Sequence, residues 1–273
     1  MSTTVIKPQK GWVGINFREL WKYRELLYIF AWRDIKVRYK QTVIGVIWAI
    51  LQPFFMMVIF STFFGGLAKI NSNGAPYPIF VFSGLLFWNY FSTALSGASN
   101  SLADNENIIK KIYFPRLILM FSPTITPIID YFIAFCILCG MLVYYHYTPS
   151  LVGILLLPIL IFMSFLAASG LGAFLAAINV RYRDVRHALP FFIQSLLFLT
   201  PVIYPTTLVP QKYQWLIALN PMTGIIEAAR SIILHTHPIN FRLLGVSLIS
   251  VIILFIVGIF YFRKTERVFA DIA

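Results

Sequence analysis

Charged residues are in short supply: Asp, Glu, Lys and Arg make up 12% of 273 residues, about half the roughly 25% that soluble domains carry. Acids are scarcest, ten in all. A proton-coupled carrier wants several buried carboxylates and usually internal repeats; the chain has few acids and no apparent repeat or low-complexity segment. A membrane-embedded glycosyl or acyl transferase needs Asp, Glu or His converging at the membrane edge, and none cluster. The two cysteines, Cys136 and Cys139, fall inside the apolar run Leu117–Tyr145. Their C-x-x-C spacing invites a redox or metal reading. No second pair or nearby His supports it, so they read as small apolar residues of a membrane helix. His146, His187, His235 and His237 form no metal constellation beyond a weak His-x-His. No G-x-x-x-x-G-K-[ST] pattern occurs, which excludes a P-loop of the usual kind, and no polar segment is long enough for a nucleotide-binding domain. Residues 1–42 lack the short apolar core of a cleaved signal peptide and are expected in the cytoplasm.

Apolar surface is what the chain has in excess: 59% hydrophobic and 17% aromatic residues, with a mean hydropathy of +0.79. The apolar residues fall in blocks near the roughly 20 residues that cross the hydrocarbon of a bilayer. The expected architecture is therefore all-α and membrane-integral, with six spans at about 43–64, 76–102, 117–145, 151–179, 189–204 and 243–262. These form one transmembrane domain over 43–273, preceded by a cytoplasmic segment over 1–42.

The 22 Lys and Arg against ten acids give +12. Such a charge suggests nucleic-acid binding only when it gathers on one polar domain. Here the basic residues sit between apolar blocks, in the segment before residue 43, at Lys110, Lys111 and Arg116, at Arg181, Arg183 and Arg186, and at Arg263, Lys264 and Arg267. Only Lys69, Lys212, Arg230 and Arg242 lie elsewhere. The positive-inside rule then places both termini in the cytoplasm. The stretch 204–240 carries Pro205, Pro210, Pro221 and Pro238, and its apolar run Pro221–Leu234 is too short to cross. It is expected to form re-entrant outer helices between spans five and six.

Several segments invite a specific role. Phe17, Leu20, Trp21, Leu27, Tyr28, Ala31 and Ile35 recur near helical spacing and predict an amphipathic helix in the cytoplasmic interface. The loop 103–115 predicts a short helix that Asp104 or Asn105 caps and Pro115 ends, with Ile108, Ile109, Ile112 and Tyr113 on one face. The loop 179–187 is similar. Positive-inside charge alone accounts for the basic residues of both loops but not for a capped amphipathic helix. Glu227 and Arg230, at i, i+3, are expected to pair inside the membrane, and Asp130 falls in the third span. Ser96–Ser99 and Ser169–Gly172 would permit close helix approach.

Taken in order, Arg33-Asp34-Ile35-Lys36-Val37-Arg38-Tyr39, Gly45-Val46-Ile47-Trp48-Ala49, Gln52-Pro53, Tyr113-Phe114-Pro115-Arg116, Asn179-Val180-Arg181-Tyr182-Arg183-Asp184-Val185, Pro201-Val202-Ile203-Tyr204 and Asn220-Pro221 resemble the permease subunit of type-2 ABC exporters, in the branch that exports polysaccharides such as O-antigen, capsule and teichoic acid. The resemblance covers the chain from about residue 17. It implies a homodimer in the bacterial inner membrane with two cytoplasmic ATPase subunits, no cofactor of its own, and a lipid-linked glycan as cargo. The channel would be lined by the first and fifth spans. ATPase docking is carried to Asn107, Lys110, Arg181, Arg183 and Asp184, and the outer gate to Pro201, Tyr204, Asn220 and Pro221. Trp48 and Tyr90 are candidate channel aromatics, since sugar rings stack on aromatic faces. A drug, lipid or other amphiphile is the alternative cargo for the same fold; a passive channel would leave the two cytoplasmic loops unexplained.

Overall fold

The computed structural model describes residues 17–40, 43–149, 151–182, 184–235 and 237–266, and its regular structure among them is helical throughout. Before the membrane come α1 (Phe17–Lys22) and α2 (Arg24–Tyr39). The first long apolar element is α3 (Val43–Phe60), which continues as a π-wound turn over Ser61–Leu67. Then follow α4 (Tyr77–Asp104), a single turn α5 (Glu106–Ile109), α6 (Leu117–Ile125), α7 (Pro127–Tyr144) and α8 (Leu151–Arg181). The chain closes with α9 (Val185–Leu199), α10 (Gln211–Ala218), α11 (Pro221–Leu234) and α12 (Phe241–Glu266).

Five stretches among the described residues are long and apolar enough to cross a bilayer: Ile47–Leu67, Tyr77–Asp104, Leu117–Tyr144, Gly153–Arg181 and Phe241–Glu266. The protein is an all-α integral membrane protein. The third of these stretches steps from α6 to α7 at Thr126, where Pro127 starts a fresh helix. Prolines stand inside four of these helices, at Pro53, Pro123, Pro158 and Pro190, a feature more frequent in membrane helices than in soluble ones.

The fifth expected span departs from its sequence boundaries. Its helix begins at Val185 and stops at Leu199, fifteen residues or about 22 Å of rise. Thr200 leaves the helix with φ −94° and ψ 137°, and the chain runs on irregularly through Pro205. The next two helices, α10 and α11, meet at 105°. Pro221 fits the first turn of α11, where no N–H is required, and Asn220 accepts from the Met222 N–H at 3.0 Å as its N-cap.

α4 is the hub, packing on α3, α6, α7, α8, α9 and α11. Small residues set its approach to two neighbours: a Cβ placed on Gly172 of α8 would come 2.5 Å from Cβ of Ala98, and one on Gly97 would come 2.8 Å from Cβ of Pro123 on α6. The two Gly-containing patches therefore face each other across the α4–α8 seam. α8 and α12 approach even closer, since a Cβ on Gly170 would lie 2.5 Å from Cα of Phe255, and one on Gly258 would fall on the Gly170 carbonyl. Backbone-to-backbone packing of this kind is how membrane helices gain van der Waals contact when lipid offers no hydrophobic drive.

Candidate functional site

On one end of the bundle, α2 packs along α6 and brings polar residues with it. Phe30 is buried against the Phe114 ring, with centroids 5.8 Å apart, and Leu20, Tyr23, Leu26 and Leu27 pack into the same cluster. The inward stripe is thus rotated from the one expected: Trp21 and Tyr28 are exposed, together with Ile29, Trp32 and Val37. The helix is apolar on both faces, with one held by the bundle.

Its polar residues are fixed in turn. Arg33 donates from Nε and Nη2 to Asp34 Oδ1 at 3.0 and 2.8 Å, and from Nη1 to Asn105 Oδ1 at 3.2 Å. Ser122 on α6 donates to Asp34 Oδ2 at 2.7 Å. One turn further, Arg38 Nη2 lies 2.8 Å from Asp130 Oδ2 on α7, and the Tyr39 hydroxyl donates to the same carboxylate. Asp130 is therefore an anchor for the interface helix. A cavity of about 610 Å³ opens beside these contacts, lined among others by Arg33, Asp34, Arg38, Asp104 and Asn105.

Asn105 stands at the N-cap of α5 but makes no side-chain cap bond to it. Its side chain already donates to the Ser101 carbonyl at 2.8 Å and accepts from Arg33. The helix predicted over 103–115 survives only as the single turn α5, steadied by Lys110 Nζ to Glu106 Oε1 at 2.6 Å, and Asp104 is committed elsewhere. Its carboxylate receives Arg186 Nη2 at 2.8 Å from the start of α9, so the two loops are tied together. Beyond α5, Ile112 and Tyr113 are strongly exposed, whereas Phe114 is buried. Arg116 donates its N–H to Glu266 Oε1 at 3.2 Å and Nη1 to the Glu266 carbonyl at 2.7 Å, joining this loop to the end of α12. Asn179 is buried and donates to the Ser99 carbonyl at 3.0 Å, fixing the end of α8 to α4.

At the opposite end lie the residues expected at the outer gate, Asn220 and Tyr204 each bonded to the end of α9. Asn220 Nδ2 donates to Thr200 Oγ1 at 2.8 Å, Tyr204 donates to the Phe198 carbonyl at 3.2 Å, and Tyr77 donates to the Ile203 carbonyl at 2.6 Å. Glu227 and Arg230 do not form the direct ion pair expected of them. Glu227 Oε1 accepts from Thr206 at 3.0 Å and lies 2.8 Å from His237 Nε2. The hydrogen bond to Glu227 raises the His237 pKa above its ordinary value, against the opposing effect of burial. Arg230 turns instead to backbone carbonyls at Phe80, Pro201 and Val202. The i, i+3 spacing puts both residues on neighbouring faces, but each finds a better partner in another segment.

Of the remaining expected positions, Asn107, Lys110, Arg181 and Asp184 are exposed on the loop-bearing end, and Arg183 lies outside the described residues. Trp48 is 57% exposed on α3. Tyr90 is a correction: it is 2% exposed, donates to the Thr124 carbonyl at 3.1 Å and packs edge-on to Tyr131. Its ring has no free face for a passing sugar. Its position on α4, on the side packed against α6 and α7, decides this.

With this geometry in view, residues 25–234 match the ABC-2 type transporter family. The chain belongs to that family. It is accordingly a transport subunit, with ATP hydrolysis in a separate chain. Among its relatives are the O-antigen export system permease protein RfbA of Myxococcus xanthus, 28% identical over 253 residues, 91% of this chain and 96% of that one. The O-antigen export system permease protein RfbA of Klebsiella pneumoniae is 25% identical over 248 residues, 91% and 95% of the two chains. The polysialic acid transport protein KpsM of Escherichia coli is 20% identical over 240 residues, 86% and 91%.

Sequence reasoning missed three features of this ABC-2 transporter. The Asp104–Arg186 tie joins loops 82 residues apart, and no local pattern announces it. The Arg38–Asp130 anchor was signalled only by an acid standing alone in an apolar run. The Arg116–Glu266 link left no signal, because its acceptors belong to the far end of the chain.

Proposed function

We propose that the protein exports a lipid-linked polysaccharide across the bacterial inner membrane as a homodimer driven by two copies of a cytoplasmic ATPase. The observation that carries this reading is the loop-bearing end. Two loops, tied by Asp104–Arg186 and to α2 by Arg33–Asn105, hold Asn107, Lys110, Arg181 and Asp184 outward on one braced surface. Loops that only satisfied a charge rule would need no such bracing, whereas force arriving from a separate ATPase must cross a surface that does not yield. In this reading Arg183 completes the docking set, with Ile112 and Tyr113 as apolar anchors.

The cargo follows from the relatives, which are named for O-antigen and polysialic acid. Two exposed apolar faces support the dimer: Ile47, Trp48, Phe54, Phe55, Val58 and Ile59 on α3, and Phe191, Phe192, Phe198 and Leu199 on α9. Both helices pack on α4, so two copies meeting at these faces would enclose a pathway rich in aromatic rings, including Trp48. Both termini lie in the cytoplasm. α9, extended by the irregular segment 200–205, crosses as the fifth of six spans, while α10 and α11 re-enter from outside and return.

Reversing charge at the second loop, Asp184→Arg with Arg183→Glu, tests the docking surface. Recovery of the co-expressed ATPase on the affinity-purified membrane subunit is expected to fall at least about tenfold, equivalent to about 1.4 kcal/mol, with insertion unchanged. Recovery at the wild-type level would remove these residues from the docking surface.

A further inference from the structure

Arg230 is enclosed to 1% exposure, and its guanidinium donates to backbone carbonyls. Its Nε donates to the Phe80 carbonyl on α4 at 3.2 Å, its Nη1 to the Pro201 carbonyl at 2.6 Å, and its Nη2 to the Val202 carbonyl. The guanidinium also lies 3.7 Å from the centroid of the Phe80 ring, the geometry of a cation–π contact. The two successive carbonyls belong to the segment where α9 has ended, and no helix continues there to pair them. Broken backbone at membrane depth persists only where the surrounding protein satisfies it. Arg230 supplies that satisfaction from a third element, α11.

Gly84 supplies the matching vacancy. It stands one turn beyond Phe80 on α4, and a Cβ there would lie 2.7 Å from Arg230 Nη2 and 3.3 Å from the Val202 carbonyl oxygen. The absent side chain is the notch into which the guanidinium fits. A planar fork with several fixed donors can hold carbonyls from two elements at once; an ammonium presents one compact charge and cannot reproduce that arrangement.

We propose that Arg230 is a positioning residue for transport: a strut that joins the end of α9, the hub α4 and the outer helix α11 into a body that moves as one when the pathway opens outward. Separating these elements would strand two carbonyls and a guanidinium in an apolar setting, so the gap for cargo opens elsewhere, between this body and the rest of the pathway. The proposal rests on the export reading and gives a mechanical role to residues that contact no cargo.

The test uses the full complex with its ATPase in export-competent cells, comparing wild type, Arg230→Lys, Arg230→Met, Gly84→Ala and the Gly84→Ala/Arg230→Met double variant. Arg230→Lys and Gly84→Ala are each expected to lower surface glycan at least about tenfold while the ATPase still co-purifies and hydrolyses ATP. Adding Gly84→Ala to Arg230→Met should cost nothing further, because the notch matters only when the guanidinium fills it. Wild-type export by Arg230→Lys, or an equal Gly84→Ala penalty with and without Arg230, overturns the strut. Should the Met variants fail to insert, a second measurement decides: a short bis-maleimide bridging Tyr77→Cys and Ile203→Cys, whose native residues meet at 2.6 Å, with Cys136 and Cys139 replaced by Ala and the unbridged protein as reference, ties α4 to the 200–205 segment. Export that survives the bridge supports one moving body, and export blocked by it overturns the proposal. A wild-type complex that displays no glycan in the same cells overturns the export reading and the strut with it.

Discussion

A single methyl group at Gly258 is expected to be the most damaging small substitution in the protein. Gly258→Ala would drive its Cβ onto the Gly170 carbonyl, where α8 and α12 meet backbone to backbone. Neither side has a flexible side-chain end to move aside, so the helices must part along their length. Overpacking of a tight interior typically costs about 1–3 kcal/mol, and the absence of any yielding group here puts the expected loss at about 3 kcal/mol. Gly170→Ala should behave alike, since its Cβ would meet the Phe255 backbone. Gly140→Ala and Gly245→Ala are the controls: nothing lies within 4 Å of a Cβ at either position, so both should stay within about 0.5 kcal/mol of wild type. Thermal melting in detergent separates the two groups, and a Gly258→Ala protein that melts with the controls would contradict the α8–α12 packing.

The second large effect is expected at Asp130. It sits on α7 with its side chain 19% exposed, receiving Arg38 at 2.8 Å and the Tyr39 hydroxyl. Asp130→Asn would leave the end of α2 without the carboxylate that holds it to the bundle. The Arg38 side chain is 40% exposed, and water screens much of the ion pair. The expected cost is therefore about 1–2 kcal/mol, mainly from the charge-assisted hydrogen bonds. The functional loss should exceed the stability loss, because α2 also carries Arg33, which holds Asn105 in the loop that bears Lys110. A double-mutant cycle between Arg38→Met and Asp130→Asn isolates the pair. Coupling near zero would mean that α2 is held by its apolar contacts alone.

Much of the fold was legible because membrane helices advertise themselves: blocks of about 20 apolar residues have few other uses. The small-residue patches Ser96–Ser99 and Ser169–Gly172 were legible as places that permit close helix approach, but ordinary membrane-helix composition explained them as well, and only the fold shows that Ala98 meets Gly172. The Asn220-Pro221 start of α11 was readable from capping chemistry. What the sequence hid are contacts set by distant segments. The i, i+3 spacing of Glu227 and Arg230 suggested a mutual pair, but the carbonyls that Arg230 prefers lie 150 and 28–29 residues away. The loop helix over 103–115 failed for a related reason, because Arg33 and the Ser101 carbonyl engage the side chain that would have capped it. On α2, apolar residues on both faces left the inward stripe undetermined until Phe30 met Phe114. Tyr90 carried no local sign that its side of α4 is covered by α6 and α7.

We propose above that one braced, charge-bearing surface faces the cytosolic ATPase while α9 carries the chain across to the outer helices. Single cysteines at Lys110, Asp184 and Lys212, with Cys136 and Cys139 replaced by Ala, test it through labelling of spheroplasts by a membrane-impermeant maleimide. Lys212→Cys should label in intact spheroplasts, and Lys110→Cys and Asp184→Cys only after permeabilisation. Labelling of Lys110→Cys or Asp184→Cys in intact spheroplasts, or protection of Lys212→Cys together with them, would contradict the account.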